Sequence, residues 1–175
     1  MFDASIYDAT SVPSNIGILF TDRKGGFSLP PYDRLNLATH VGDDLDTVQR
    51  NRELLNSALP NRPIWLNQVH GCEVFDADDW DGCQIPTADA AVTTKANQVL
   101  AIMTADCLPI LLTSKCGSVI GAVHAGWRGL ASGVIEKTIQ AMQSKIIALN
   151  LQTKDRKSKR LNSSHTDIFR MPSSA

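Results

Sequence analysis

The sequence has no apolar run near the roughly 18 residues that a membrane-spanning helix needs. Its first residues also lack the basic, apolar, small-residue succession of a secretory signal. Cysteine is scarce: Cys72, Cys83, Cys107 and Cys116, with no CxxC pair among them. That excludes a disulfide scaffold and a knuckle-type structural zinc site. It points to a reducing cytoplasm, with Cys72, Cys83 and Cys116 unbridged. Opposite charges nearly cancel, to −1, which excludes a strongly basic nucleic-acid binder. Histidine is equally sparse, at His40, His70, His124 and His165. Four are too few for a blue-copper centre with a trinuclear cluster.

The 175 residues suffice for one domain. Charge is unevenly distributed within them. Up to Thr153, eleven Lys/Arg face sixteen Asp/Glu and leave −5; from Lys154, six face two and leave +4. The basic segment mixes Ser, Asn and Pro and sustains no apolar period, so a disordered tail is expected over 153–175 beside a domain over 1–152.

Within the domain, Ile16–Thr21 reads as a strand leading into the turn Asp22–Gly26. Asp46 is the expected N-cap of a helix from Thr47 to about Leu59, which Pro60 and Pro63 terminate. Ile64–Val69 predicts a strand, with Glu73–Asp76 as its hairpin partner across His70-Gly71, and the acidic stretch Asp76–Asp81 a solvated loop. The apolar, β-branched segments Ala88–Thr93, Val99–Thr104, Pro109–Thr113 and Val119–Val123 predict strands. Their short connections favour antiparallel neighbours. A long helix through Val134, Ile139, Met142 and Leu149 completes an α+β pattern.

Three residues stand at strand ends before tight turns: His70, Cys107 and His124. Brought to one sheet edge, they would form a His₂Cys set with an open fourth position, as a catalytic zinc site requires. The same residues also read as hydrogen-bonded histidines and a core cysteine, and spacing alone leaves both readings open.

The strings Asn67-Gln68-Val69-His70-Gly71, Thr104-Ala105-Asp106-Cys107-Leu108-Pro109 and His124-Ala125-Gly126-Trp127-Arg128-Gly129 resemble the signature of one family. Thr21–Ser28, Leu35-Asn36-Leu37, Val41-Gly42-Asp43 and Asn51-Arg52 agree with it in order and spacing. It is the laccase-domain family, also called polyphenol oxidase, peptidoglycan editing factor or zinc-dependent purine nucleoside phosphorylase. The resemblance runs from about Gly17 to Leu149.

It implies a layered α/β/β/α fold and a metal, zinc or alternatively copper, on His70, Cys107 and His124. It also implies phosphorolysis of adenosine, inosine, guanosine and methylthioadenosine, with adenosine deamination as a second activity. The expected partners are therefore purine nucleosides and phosphate, with no nucleic acid, membrane or protein partner. Arg23 and Arg128 are candidate phosphate contacts, because guanidinium forks match phosphate oxygens, although a surface salt bridge is the alternative for each. Asn36 and Gln68 are candidates for ribose hydroxyls or the base edge.

Three alternatives accompany this reading. Cys107 would be a nucleophile with His124 or His70 as its base, in a hydrolase or a peptidoglycan-precursor editing enzyme. Copper in the same site would give a polyphenol oxidase. A fold left incomplete at its C-terminus would give an inactive fragment. The last follows because family members continue well past the helix matching Gly129–Leu149, whereas 153–175 resembles no part of the family and reads as non-native. His165 accordingly has no assigned role.

Overall fold

The computed structural model describes residues 4–6, 12–149 and 169–170. The chain divides into two compact units, Met1–Arg62 and Pro63–Ala175.

In the first unit, β1 (Ala4–Ile6) pairs antiparallel with β2 (Leu19–Thr21), so the strand expected over Ile16–Thr21 is confined to its last three residues. The irregular segment that follows is tied to α1 (Leu45–Asn56) by Asn51. This fully buried amide donates to Ser28 Oγ at 2.9 Å and to the carbonyls of Arg34 at 3.2 Å and Asn36 at 2.8 Å. Its oxygen accepts the Phe27 N–H at 2.8 Å. The cap of α1 is Asp44, not the expected Asp46. Asp44 has the extended backbone a cap requires and accepts the Thr47 N–H at 2.9 Å. Asp46 lies in the first turn, where its charge complements the helix dipole.

In the second unit, β3 (Pro63–Ile64) pairs in parallel with β6 (Val99–Leu100). A five-stranded sheet has the order β4 (Val74–Asp76), β5 (Ala90–Thr93), β8 (Ile120–Ala125), β7 (Leu108–Thr113), β9 (Phe169–Arg170). β4 and β5 are parallel and the other pairs antiparallel; the antiparallel expectation holds for β5, β7 and β8, whereas the strand expected over Val99–Thr104 is confined to β6 and pairs in parallel. The expected hairpin across His70-Gly71 does not form. The amides of residues 69–71 bond a carboxylate instead of a cross-strand partner, and the chain leaves the turn to join β5 in parallel. Of the tail expected to be disordered, only Phe169–Arg170 are described, as β9 on β7; the rest lies outside the described residues.

Alternation along β5 divides the core. Ala90 and Val92 join Ile110, Leu112 and Val123 beneath α3 (Val134–Ala148), whose Val134 and Met142 complete that cluster. Ala91 faces the opposite side with Ile64, Leu66, Ala77 and Ala88, and Leu100 packs there too. Helix, large sheet and small sheet therefore succeed one another, and the fold is α+β with mixed sheets.

The acidic stretch Asp76–Asp81 is not a solvated loop. It begins with a single 3₁₀ turn (Ala77–Asp79), and Asp78 accepts bonds from Thr93 Oγ1 at 2.7 Å, Thr94 N at 2.8 Å and Lys145 Nζ at 2.5 Å. Lys145 also meets Asp76 at 2.6 Å. All four cysteines are thiols, and among the described residues no helix is long and apolar enough to cross a membrane.

Candidate metal centre

Three chain segments bring His70, Cys107 and His124 together. Cys107 immediately precedes β7, and His124, on β8, is paired across the ladder with Pro109. Antiparallel pairing thus places the thiol and the second imidazole at the same end of the sheet. His70 arrives from a turn in which its own backbone has φ 60°, a left-handed conformation that a side chain disfavours. One potential ligand atom from each residue lies within 4.8 Å of the others. Tetrahedral coordination with zinc–nitrogen and zinc–sulfur bonds separates neighbouring ligands by roughly 3.5 Å. The imidazoles of His70 and His124 stand edge to face, with centroids 4.7 Å apart.

The turn carrying His70 and the ring of His124 share a partner. Asp89, fully buried, accepts the N–H groups of Val69 at 3.2 Å, His70 at 2.8 Å and Gly71 at 2.7 Å. Its Oδ1 also lies 2.8 Å from His124 Nδ1. Nδ1 is thereby occupied, leaving Nε2 for coordination. Burial pushes the Asp89 carboxyl up, but the bonds from His124 and the three amides outweigh it and hold the group below the ordinary carboxylate range. Burial likewise pushes the Cys107 thiol up, reinforced by the charges of Asp106 and Asp89.

Gly126 follows β8 and caps α2 (Trp127–Ala131). A Cβ there would stand 3.0 Å from both Cys107 Sγ and His70 Cδ2, so any side chain at 126 would fill the space in which the ligands converge.

The candidate substrate residues occupy different settings. Gln68 donates from Nε2 to the Met103 carbonyl at 2.8 Å and accepts the Met103 N–H at 2.9 Å. Its amide ties the segment carrying His70 to the segment leading to Cys107. Arg128 is exposed on α2, with its guanidinium 5.3 Å from the centre of the Trp127 ring. Arg23 and Asn36 belong to the first unit. The Arg23 guanidinium donates to the Asp33 carbonyl at 2.7 Å and lies 3.6 Å from the Asp33 carboxylate. The Asn36 amide donates to Ala38 O and Asp43 and accepts the Ala38 N–H.

Sequence reasoning missed Asp89. Its signal is an acid alone among alanines and valine in Ala88–Val92, a segment buried throughout that leads into β5. A carboxylate buried there requires several donors.

Residues 17–153 match the family described as multi-copper polyphenol oxidoreductase laccase. The purine nucleoside phosphorylase YfiH of Escherichia coli is 45% identical over 129 residues, covering 73% of this chain and 53% of that protein. A purine nucleoside phosphorylase of Haemophilus influenzae is 46% identical over 137 residues, covering 77% and 55%. A crystal structure of a Neisseria meningitidis protein superposes with a TM-score of 0.73 at 44% identity, covering 79% of this chain and 57% of that one. YlmD of Geobacillus stearothermophilus superposes at 0.64 and 33%, covering 71% and 50%. The chain spans about half the length of the curated relatives it matches. With a family match over most of its length, and with this His, Cys and His convergence, the chain belongs to the laccase-like polyphenol oxidoreductase family.

Proposed function

We propose that this chain carries the metal centre of a purine nucleoside phosphorylase. Two imidazoles and a thiol converge here, in a chain about 45% identical to enzymes of that name. The donors fit a borderline divalent ion: zinc in this reading, with copper compatible with the same set. When bound, such an ion acts as a Lewis acid and lowers the pKa of coordinated water toward 7.

The remaining work falls to the chain. His124 presents Nε2, because a carboxylate holds its Nδ1–H. Cys107 contributes its sulfur as thiolate, and His70 closes the set from its turn. Arg128 offers an exposed guanidinium fork to phosphate, and Gln68 shapes the nucleoside side of the turn that carries His70. The substrates of this reading are adenosine, inosine, guanosine and methylthioadenosine, cleaved in the cytoplasm to base and sugar 1-phosphate. Adenosine deamination, the second activity of this reading, would draw on the same three residues. The alternative in which Cys107 acts as nucleophile differs from this reading in needing no metal.

The test is base release from inosine by the full chain, with and without phosphate. Release should require phosphate, cease with chelator and fall at least 100-fold in Cys107→Ala. Chelator-resistant, phosphate-independent release that still requires Cys107 would favour the thiol hydrolase and refute this reading.

A further inference from the structure

We infer that Asp89 is the positioning residue that assembles this metal centre, holding two of its three ligands through one carboxylate while ligating nothing itself. The inference rests on the metal-centre reading above. Two pairs of bonds carry it. Oδ1 takes the His70 N–H and His124 Nδ1, and Oδ2 takes the N–H groups of Val69 and Gly71.

A carboxylate offers about four lone-pair positions, and four donors occupy them here. None is left for a metal or for a substrate proton, so Asp89 acts only through what it holds. It holds His124 by tautomer, since an acceptor-only partner requires a proton on Nδ1 and frees Nε2. It holds His70 by backbone, since three consecutive amides on one carboxylate define the turn in which φ reaches 60°. The Asp89 carbonyl adds a further tie, accepting the His124 N–H at 2.7 Å. A metal-ligating histidine commonly donates its other ring N–H to such a partner; here one carboxylate also fixes the backbone of a second ligand.

Substitutions separate this role from simple core filling. Asp89→Asn keeps the shape but replaces one acceptor oxygen with a donor. At least two of the four N–H groups then face an N–H, or His124 switches to the Nε2–H tautomer, which cannot ligate. Asp89→Glu keeps the charge but adds a methylene to a fully buried site.

Three measurements on the full chain test it. Chelator-competition titration with zinc alone should show affinity falling 10- to 100-fold in Asp89→Asn, with Asp89→Glu between the two. Nitrogen-15 spectra of the metal-free wild type at mildly alkaline pH should show His124 protonated at Nδ1, with that preference lost in Asp89→Asn. Hydrogen exchange in the metal-free wild type should show the Val69, His70 and Gly71 amides protected before metal is added. Zinc affinity unchanged within twofold in a folded Asp89→Asn protein would overturn the inference. So would an Nε2–H His124 or unprotected 69–71 amides in the wild type, and these two need no variant to fold. Zinc binding that depends on Asp89 without phosphorolysis would refute the proposed function and leave this inference standing.

Discussion

At the scale of single residues, Asp78 shows how strongly one carboxylate in an acidic run can be engaged. Burial opposes its ionisation, but bonds from Lys145, Thr93 and Thr94 prevail and hold its carboxyl far below the usual range. Because the folded value is depressed, the clamp stabilises fully above the ordinary carboxylate pKa and is lost as pH falls below about 4. Lys145 carries the opposite linkage. Burial lowers its pKa, but Asp76 and Asp78 raise it more, so its share is lost only as pH rises above the ordinary lysine value. Asp78→Asn should therefore cost about 2–4 kcal/mol at neutral pH. The gap to wild type should narrow in acid, as urea melts at pH 7 and pH 3 would show. A gap independent of pH would mean that the carboxylate charge contributes nothing. Composition alone reads Asp76–Asp81 as solvated, because the lysine that pairs with its carboxylates lies 67 positions away from Asp78.

Among elements, the decisive contacts are places where backbone approaches backbone. Gly129 in α2 has no room for a methyl group: a Cβ would stand 2.8 Å from the Gly71 carbonyl, beside His70. Backbone cannot yield as a side chain can, so Gly129→Ala should displace the helix or the turn. We expect a loss of about 1–3 kcal/mol and zinc affinity lowered about tenfold. Gly121→Ala is the contrast, because its Cβ meets Met142 Sδ at 3.0 Å, the flexible end of a side chain on α3. It should lower stability modestly and leave zinc affinity unchanged; equal effects of the two on zinc would refute the distinction. Much at this scale was legible in sequence. The apolar runs that became β5, β7 and β8, and the helix α3, declare themselves through local composition, and the turn-like strings around His70, Cys107 and His124 single those residues out. Partner choice was not legible. The pairing of Ile64 with Leu100 and of Val74 with Ala90, both parallel, depends on distant segments. The part played by Asp89 likewise exists only once four donors from two segments surround it.

For the whole molecule, tryptophan and tyrosine happen to divide between the two units. Trp65, Trp80 and Trp127 all lie within Pro63–Ala175, whereas Tyr7 and Tyr32 lie within Met1–Arg62. Trp127 also adjoins Gly126, whose α-carbon faces the converging ligands. Tryptophan emission therefore reports the unit that holds the metal centre. A ligand that binds only the folded state stabilises it by RT ln(1 + [L]/Kd), about 2.7 kcal/mol at one hundred times Kd. For a unit of this size that corresponds to a rise on the order of 10 °C in the melting midpoint. Zinc at that excess should raise the tryptophan-detected midpoint by this amount, and chelator should reverse it. In Cys107→Ala, which keeps the sheet but removes the sulfur, the rise should shrink to a few degrees. A tryptophan transition that zinc leaves unmoved in the wild type would mean that the three side chains converge without binding the ion, and the metal-centre reading would fall with it.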